Sequence, residues 1–362
     1  MFRTEVETSP CQGGKAAPEG WRESSGKCNN AIMNRKLWNV AVLCVGFLCI
    51  SANLSGKTSE GVDESLKAAQ SQFEAGAYSS AITTLRTIMA RNPNKADVHY
   101  WLGRAYYELH DYDSAIRHGR RCTQLDKRNS LYHQWLGRAY GGKAGRERSL
   151  FVALKVQREF EKAVRLNPSN ISARRDLQQF YMAAPWIIDG SDKAREMVDA
   201  ISAIDAVEGH LARAQLYLKD LKNPDLAENE YIVVLDAEPS RLEPYLEIAA
   251  FYQNQKNGAA MEAIIQKAEQ VDPSDPRLAY YHGVAGIITG KDLKAAEKSL
   301  KAYLTATPER SDWPSHAAGN EWLGRLYEQQ DKLVEAAEQY RAALQIDPGR
   351  KEARERLERL EK

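Results

Sequence analysis

The residues able to do acid–base, nucleophilic or metal chemistry are few and scattered: seven histidines and five cysteines in 362 residues. His118 and Cys122 stand four apart, one helical turn, where a protonated imidazole could depress the thiol pKa and create a nucleophile. The chain's internal periodicity, however, aligns Cys122 with Ile88, Ala163, Ala268 and Ala343, so its expected role is that of a small buried residue. His99 and His133 are equivalent too, and successive helical units would hold them near 10 Å apart, too far to share a metal. Both are expected to pack in the core. The sequence has no His-Glu-x-x-His, no glycine-rich phosphate loop, no nucleophile elbow and no paired-cysteine spacing. No catalytic residue, cofactor or metal site is expected, and an enzyme is the least supported of three functional readings.

Charge is the remaining chemical signal. Lys and Arg number 50 against 49 acids, but the balance is uneven along the chain. From Arg117 to Arg175 there are fifteen bases and four acids, a net of +11, whereas Asp225 to Asp275 carries eleven acids and three bases, a net of −8. Such an axial separation acts on association rate and partner choice more than on fold. The basic segment could take an anionic polymer or nucleic acid. It could equally form one wall of a protein-binding surface.

The elements that must position these charges are helices. Ala96 to Lys127 holds two helical patterns joined by His110-Asp111-Tyr112-Asp113, with Gly103 and Ala115 small where the two helices approach and Leu102, Tyr106 and Tyr112 apolar toward neighbours. Trp101 to Tyr106 reads WLGRAY, as does Trp135 to Tyr140, and Gly103 and Gly137 are 34 positions apart. Trp322-Leu323-Gly324-Arg325-Leu326-Tyr327 repeats the pattern near the other end, followed by Ala336, Tyr340, Ala343 and Pro348. Pro93, Pro168, Pro239, Pro273, Pro308 and Pro348 close the first, the third and the fifth to eighth units, because proline cannot continue a helix. This spacing divides residues 62–350 into eight units, with the charged segment 351–362 as a terminal cap whose outer face is polar.

The WLGRAY segments, the 34-residue period and the small and proline positions resemble the tetratricopeptide repeat (TPR) signature. The resemblance implies an all-α, right-handed α-solenoid of about eight helix-turn-helix units, each touching only its neighbours. It also implies that first helices line a concave groove, where Tyr100, Arg104, Tyr107, Gln134, Arg138, Arg175, Gln179 and Met182 would face inward. The function implied is non-enzymatic: a scaffold holding an extended segment of a partner protein, with Arg104, Arg138 and Arg175 facing acidic residues. Repeats that clamp a C-terminal carboxylate use a Lys and Asn pattern, and this chain has Leu66 and Gln70 at the matching places, so that activity is not carried over.

Three places depart from the period. Gly141 to Arg146 reads as a glycine-rich junction, after which a second helix, Ser149 to Leu166, is expected to overhang its partner by about two turns. The apolar stretch Ala183 to Gly190 is expected to cover Phe151 and Leu154, or else to form a lip on the groove. Ser311 to His316 reads as a longer turn. The junction, long helix and apolar loop together, across residues 96–240, are similar to a group of exported bacterial TPR proteins.

Export also has its own pattern. Residues 1–32 lack periodicity and are expected to be a disordered prefix or a mis-assigned start before Met33. Arg35-Lys36, the apolar run Val40 to Ile50 and the small residues Ser51-Ala52 match the regions of a signal peptide over 33–52, followed by a short linker at 53–61. The expected location is the bacterial periplasm or cell envelope, with a membrane anchor at 37–56 as the alternative. Cleavage near Asn53 would leave Cys122 as the single thiol, compatible with an oxidising compartment.

Overall fold

A computed structural model describes residues 62–184 and 189–361. The expectations for the prefix, the export segment and the linker, and for Pro185 to Ile188, lie outside the described residues. Among the described residues the secondary structure is helix alone. α1 (62–74), α2 (Tyr78–Arg91), α3 (Ala96–Glu108) and α4 (Tyr112–Leu125) make the first two repeats. α5 (Ser130–Glu147), α6 (Leu150–Leu166), α7 (Ile171–Ala183) and α8 (Gly190–Ser202) make the next two. The fifth to eighth comprise α9 (Ala206–Lys219), α10 (Pro224–Asp236), α11 (Glu243–Asn254), α12 (Gly258–Val271), α13 (Arg277–Thr289), α14 (Leu293–Ala306), α15 (His316–Gln329) and α16 (Leu333–Ile346). α17 (Lys351–Leu360) caps the array, burying Ala353 and packing Leu357 and Leu360 on the last repeat. No helix among them is long and apolar enough to cross a membrane.

Local chemistry explains the punctuation. Side chains of Asp111, Asn129, Ser149, Asn170, Asp205, Asn223, Asn257, Asp292 and Ser315 accept hydrogen bonds from backbone N–H groups that the first helical turn leaves unpaired. At the other ends, Asn92, Asn167, Asp272, Thr307 and Asp347 leave the helical region just before a proline, as the proline ring requires. Between the two helices of each unit at least one residue takes a left-handed conformation: Gly76, His110, Arg148, Asp189, Lys222, Lys256, Gly290 with Asp292, and Asp331 do so. Between the helices, Leu102, Ile201, Leu211 and Ile248 are below 2% exposed, each burial stabilising by about 1.5–3 kcal/mol.

Two of the departures differ from expectation. Gly141 to Arg146 is no junction but the last turn and a half of α5, so both helices of the third repeat are long, 18 and 17 residues, against 12–14 for α2–α4 and α7–α16. One of these glycines, Gly142, is in the helix for a packing reason. A Cβ on Gly142 would lie 2.3 Å from the Tyr112 ring, so the ring needs a bare backbone there. Lys143 then bonds Asp113, and Arg146 approaches it at 3.6 Å, anchoring the extension to α4.

The second correction is larger. The loop 307–315 is not simply a longer turn but a strap that reaches back to the first two repeats. Tyr78 donates its hydroxyl to the Glu309 carbonyl at 2.9 Å, Arg310 meets Glu74 at 2.8 Å, and Ser311 bonds Glu108. Gly76, at φ +72°, seats Pro308 so closely that a Cβ would fall 2.0 Å from the proline Cβ. The array therefore curls until the junction of repeats seven and eight touches repeats one and two, and the expectation that each unit touches only its neighbours fails.

Candidate functional site

The first helices α3, α5 and α7 expose one face to the interior of the curl, and their side chains build the concave surface. At its centre, Trp135 on α5 lies under two guanidinium groups: Arg104 at 4.4 Å and Arg138 at 4.7 Å from ring centroid to Cζ. Arg104 also lies over Phe73 at 4.5 Å and Trp101 at 4.7 Å. Its Nε is buried without a hydrogen-bond partner. A cation on an aromatic face in a partly dry setting gains about 1–2 kcal/mol, which compensates some of the lost hydration.

The three arginines expected to act together are in different states. Arg138 donates from Nε to Asp176 at 2.7 Å and from its terminal nitrogen to Asp176 and Ser172. Burial works against its charge, but Asp176 outweighs this and the pKa is raised. Arg175 is held by Glu208 at 3.0 Å and by both oxygens of Glu247, with Gln215 donating to the same Glu247. Arg241 closes the network on Glu208 at 2.9 Å. Arg138 and Arg175 thus already hold internal carboxylates, and Arg104 is the groove arginine without an ion pair among the described residues.

The other expected groove residues divide similarly. Gln134 is 2% exposed and spends its amide on Ser172, Asp176 and Asn170, so it is a strut between α5 and α7. Tyr100 is buried against Tyr132 and Trp135, and Met182 is half-buried against the core. Tyr107 and the exposed Gln179 do face open space. They line a pocket of about 700 Å³ together with Arg104, Trp135, Arg138 and Phe180, whose far rim is Ser311 and Asp312 of the strap. Sequence reasoning missed those rim residues, because nothing local marks a contact made from two hundred positions away.

The residues that could have done chemistry are occupied structurally. Cys122 is buried, donates to the Gly119 carbonyl, and burial pushes its thiol up to about 12. His118 turns to His99, Nδ1 to Nδ1 at 3.0 Å, while His99 Nε2 lies 3.0 Å from the Pro93 carbonyl. The carbonyl can only accept, so His99 carries its proton on Nε2 and His118 donates from Nδ1. Burial, then His99, Arg117 and Arg86, hold the His118 pKa down to about 4. His133 bonds Glu159 at 2.7 Å, both buried. No group of three or more potential metal ligands comes together among the described residues.

Comparison with known proteins agrees with this architecture. Tetratricopeptide repeat families match residues 72–137 and 309–351. The chain is a tetratricopeptide repeat protein. This TPR protein superposes on yeast Tom70 with a TM-score of 0.57 at 13% identity, over 83% of this chain and 63% of that one, a likeness of fold. A thermophilic TPR protein of Thermus thermophilus aligns at 22% identity over 52% of this chain and 98% of its own, with a TM-score of 0.44. A TPR protein of Parabacteroides merdae covers 84% of this chain at 15% identity, with a TM-score of 0.41. No curated protein matches the sequence. TPR folds are typically non-catalytic scaffolds, and TPR proteins generally bind other proteins.

Proposed function

We propose that this TPR protein is a non-enzymatic scaffold that holds an extended segment of a partner protein in the concave pocket over repeats two to four. The observation that carries the reading is the 700 Å³ pocket itself, with aromatic walls at Tyr107, Trp135 and Phe180, an open amide at Gln179, and Arg104 lacking a carboxylate. A cavity of this size and mixed lining fits a few residues of an extended chain, apolar side chains against the rings and one acidic side chain toward Arg104. Because Arg138 and Arg175 are already paired, the acidity of the partner reduces to that single charge. The strap at Ser311 and Asp312 bounds the segment on its far side.

Selection of peptides from a displayed random library on the full chain tests this. Selected peptides should share one acidic residue between apolar ones, and both Arg104→Met and Gln179→Arg should weaken them about tenfold or more. Peptides that bind both variants as well as the parent would move the site elsewhere on the array.

The same reading places the scaffold in the cell envelope, supported by the charged, apolar and small-residue regions of Met33 to Ala52. N-terminal sequencing of the exported chain should begin near Asn53. A peptide from residues 1–32 in that material would overturn it.

A further inference from the structure

We propose that the outer cleft between the second helices of repeats two and three is a second binding site, separate from the concave groove, that takes a short oligophosphate through Arg117, Arg120, Arg121 and Lys155. The cleft measures about 670 Å³. Arg117, Arg120 and Arg121 stand at i, i+3 and i+4 on α4, one turn of one wall, and Lys155 of α6 stands on the other. Ile116, Val152 and the 3%-exposed Tyr140 give it an apolar floor.

The charge of this cleft is not neutralised within the protein. Asp113 is the one acid lining it, and Lys143 and Arg146 already hold that carboxylate. The arginines instead touch neutral acceptors: Arg117 the Ser114 hydroxyl at 3.3 Å, Arg120 the Tyr140 hydroxyl at 2.7 Å, and Arg121 the Asn94 side-chain oxygen at 2.6 Å. None of the three, nor Lys155, makes an ion pair among the described residues. A guanidinium has five N–H donors, so each of these contacts leaves several for a ligand, in the fork geometry that matches phosphate oxygens.

Like charges within one turn repel, and an anion between the two walls would remove that repulsion. Four cations along one turn and across a cleft call for more charge than a single phosphate carries; a chain of two or three phosphates supplies it. Nucleic acid fits less well. The Tyr140 ring on which a base could stack is already covered by Arg120 at 5.7 Å and Lys155 at 5.7 Å.

The test titrates the full chain calorimetrically with inorganic tripolyphosphate, with sulfate at equal ionic strength, and with a short single-stranded RNA. Tripolyphosphate should bind saturably at one per chain, and more tightly than sulfate. The pair Arg117→Gln with Arg121→Gln should weaken it by about tenfold or more, and Lys155→Gln by less. A control pair far from the cleft, Arg341→Gln with Arg359→Gln, removes the same charge and should leave the affinity unchanged. Circular dichroism of each variant verifies the helical fold, and Lys155→Gln stands alone if the α4 pair fails to fold. Absent saturation, equal binding of sulfate, equal weakening by the control pair, or binding of RNA without tripolyphosphate would each overturn the assignment. Peptide binding in the groove is read separately, so the two proposals stand or fall apart.

Discussion

Ser311 donates both its backbone N–H and its hydroxyl to Glu108, at 2.9 Å to one carboxylate oxygen and 3.0 Å to the other, across 203 positions of sequence. The pair fastens the strap to the end of α3, beside the pocket that Arg104 and Trp135 form. Glu108→Ala leaves both donors to water and should cost about 1.5–3 kcal/mol, the range for a hydrogen bond to a charged group. Native-state hydrogen exchange should show the Ser311 amide losing protection, while Glu108→Gln, which keeps one carbonyl acceptor, loses less. Unchanged protection in Glu108→Ala would mean that Arg310 and Tyr78 hold the strap alone.

Gly76 and Gly290 offer a controlled comparison of the strap's seat. Both are left-handed, at φ +72° and +68°, but a Cβ at Gly290 meets nothing within 4 Å whereas one at Gly76 meets Pro308. Gly290→Ala should lose the conformational penalty alone, about 1–2 kcal/mol. Gly76→Ala should lose that plus an overpacking cost of about 1–3 kcal/mol. Urea unfolding of the two variants gives the difference, and equal losses would show that Pro308 yields freely.

His118 makes stability depend on pH. Its folded pKa of about 4 lies below the ordinary histidine value near 6.5, so between these values the unfolded chain binds a proton that the native chain refuses. Stability should fall as pH drops from about 6.5 to about 4 and level off below for this group. In His118→Gln that part of the pH dependence should disappear. Parallel stability-against-pH curves for variant and parent would refute the buried neutral assignment.

Cys122 should be inert in the native state. Its thiol is buried and pushed up to about 12, leaving almost no thiolate near neutral pH. Mass mapping after iodoacetamide treatment should find the Cys122 peptide unmodified until urea unfolds the array. Rapid labelling without denaturant would show that the second repeat opens locally.

What was legible in the sequence was what repeats locally. The two WLGRAY segments and the closing prolines marked the helix pairs, because each unit solves the same packing problem with the same residue types at the same spacing. Gly142 misled, because the reason for glycine there is the ring of Tyr112, thirty positions earlier. The groove was legible as a face, since Arg104, Tyr107 and Gln179 do line it, but not as a charge distribution. Whether Arg138 and Arg175 face a partner or a neighbour depends on Asp176, Glu208 and Glu247 being within 3 Å, and spacing along the chain does not encode that. The strap left no local trace: Tyr78, Glu74 and Glu108 look like ordinary residues of a helix surface until the curl brings 309–311 against them.

That curl changes how the molecule carries load. An open coil pulled at one end passes tension through each turn in series and lengthens like a spring. Here the Tyr78–Glu309, Glu74–Arg310 and Glu108–Ser311 contacts give force entering the first two repeats a second route, directly to the junction of the seventh and eighth, in parallel with the repeats between them. The molecule is then a hoop with a clasp, and widening the groove to admit a bulky partner puts its first strain on the clasp.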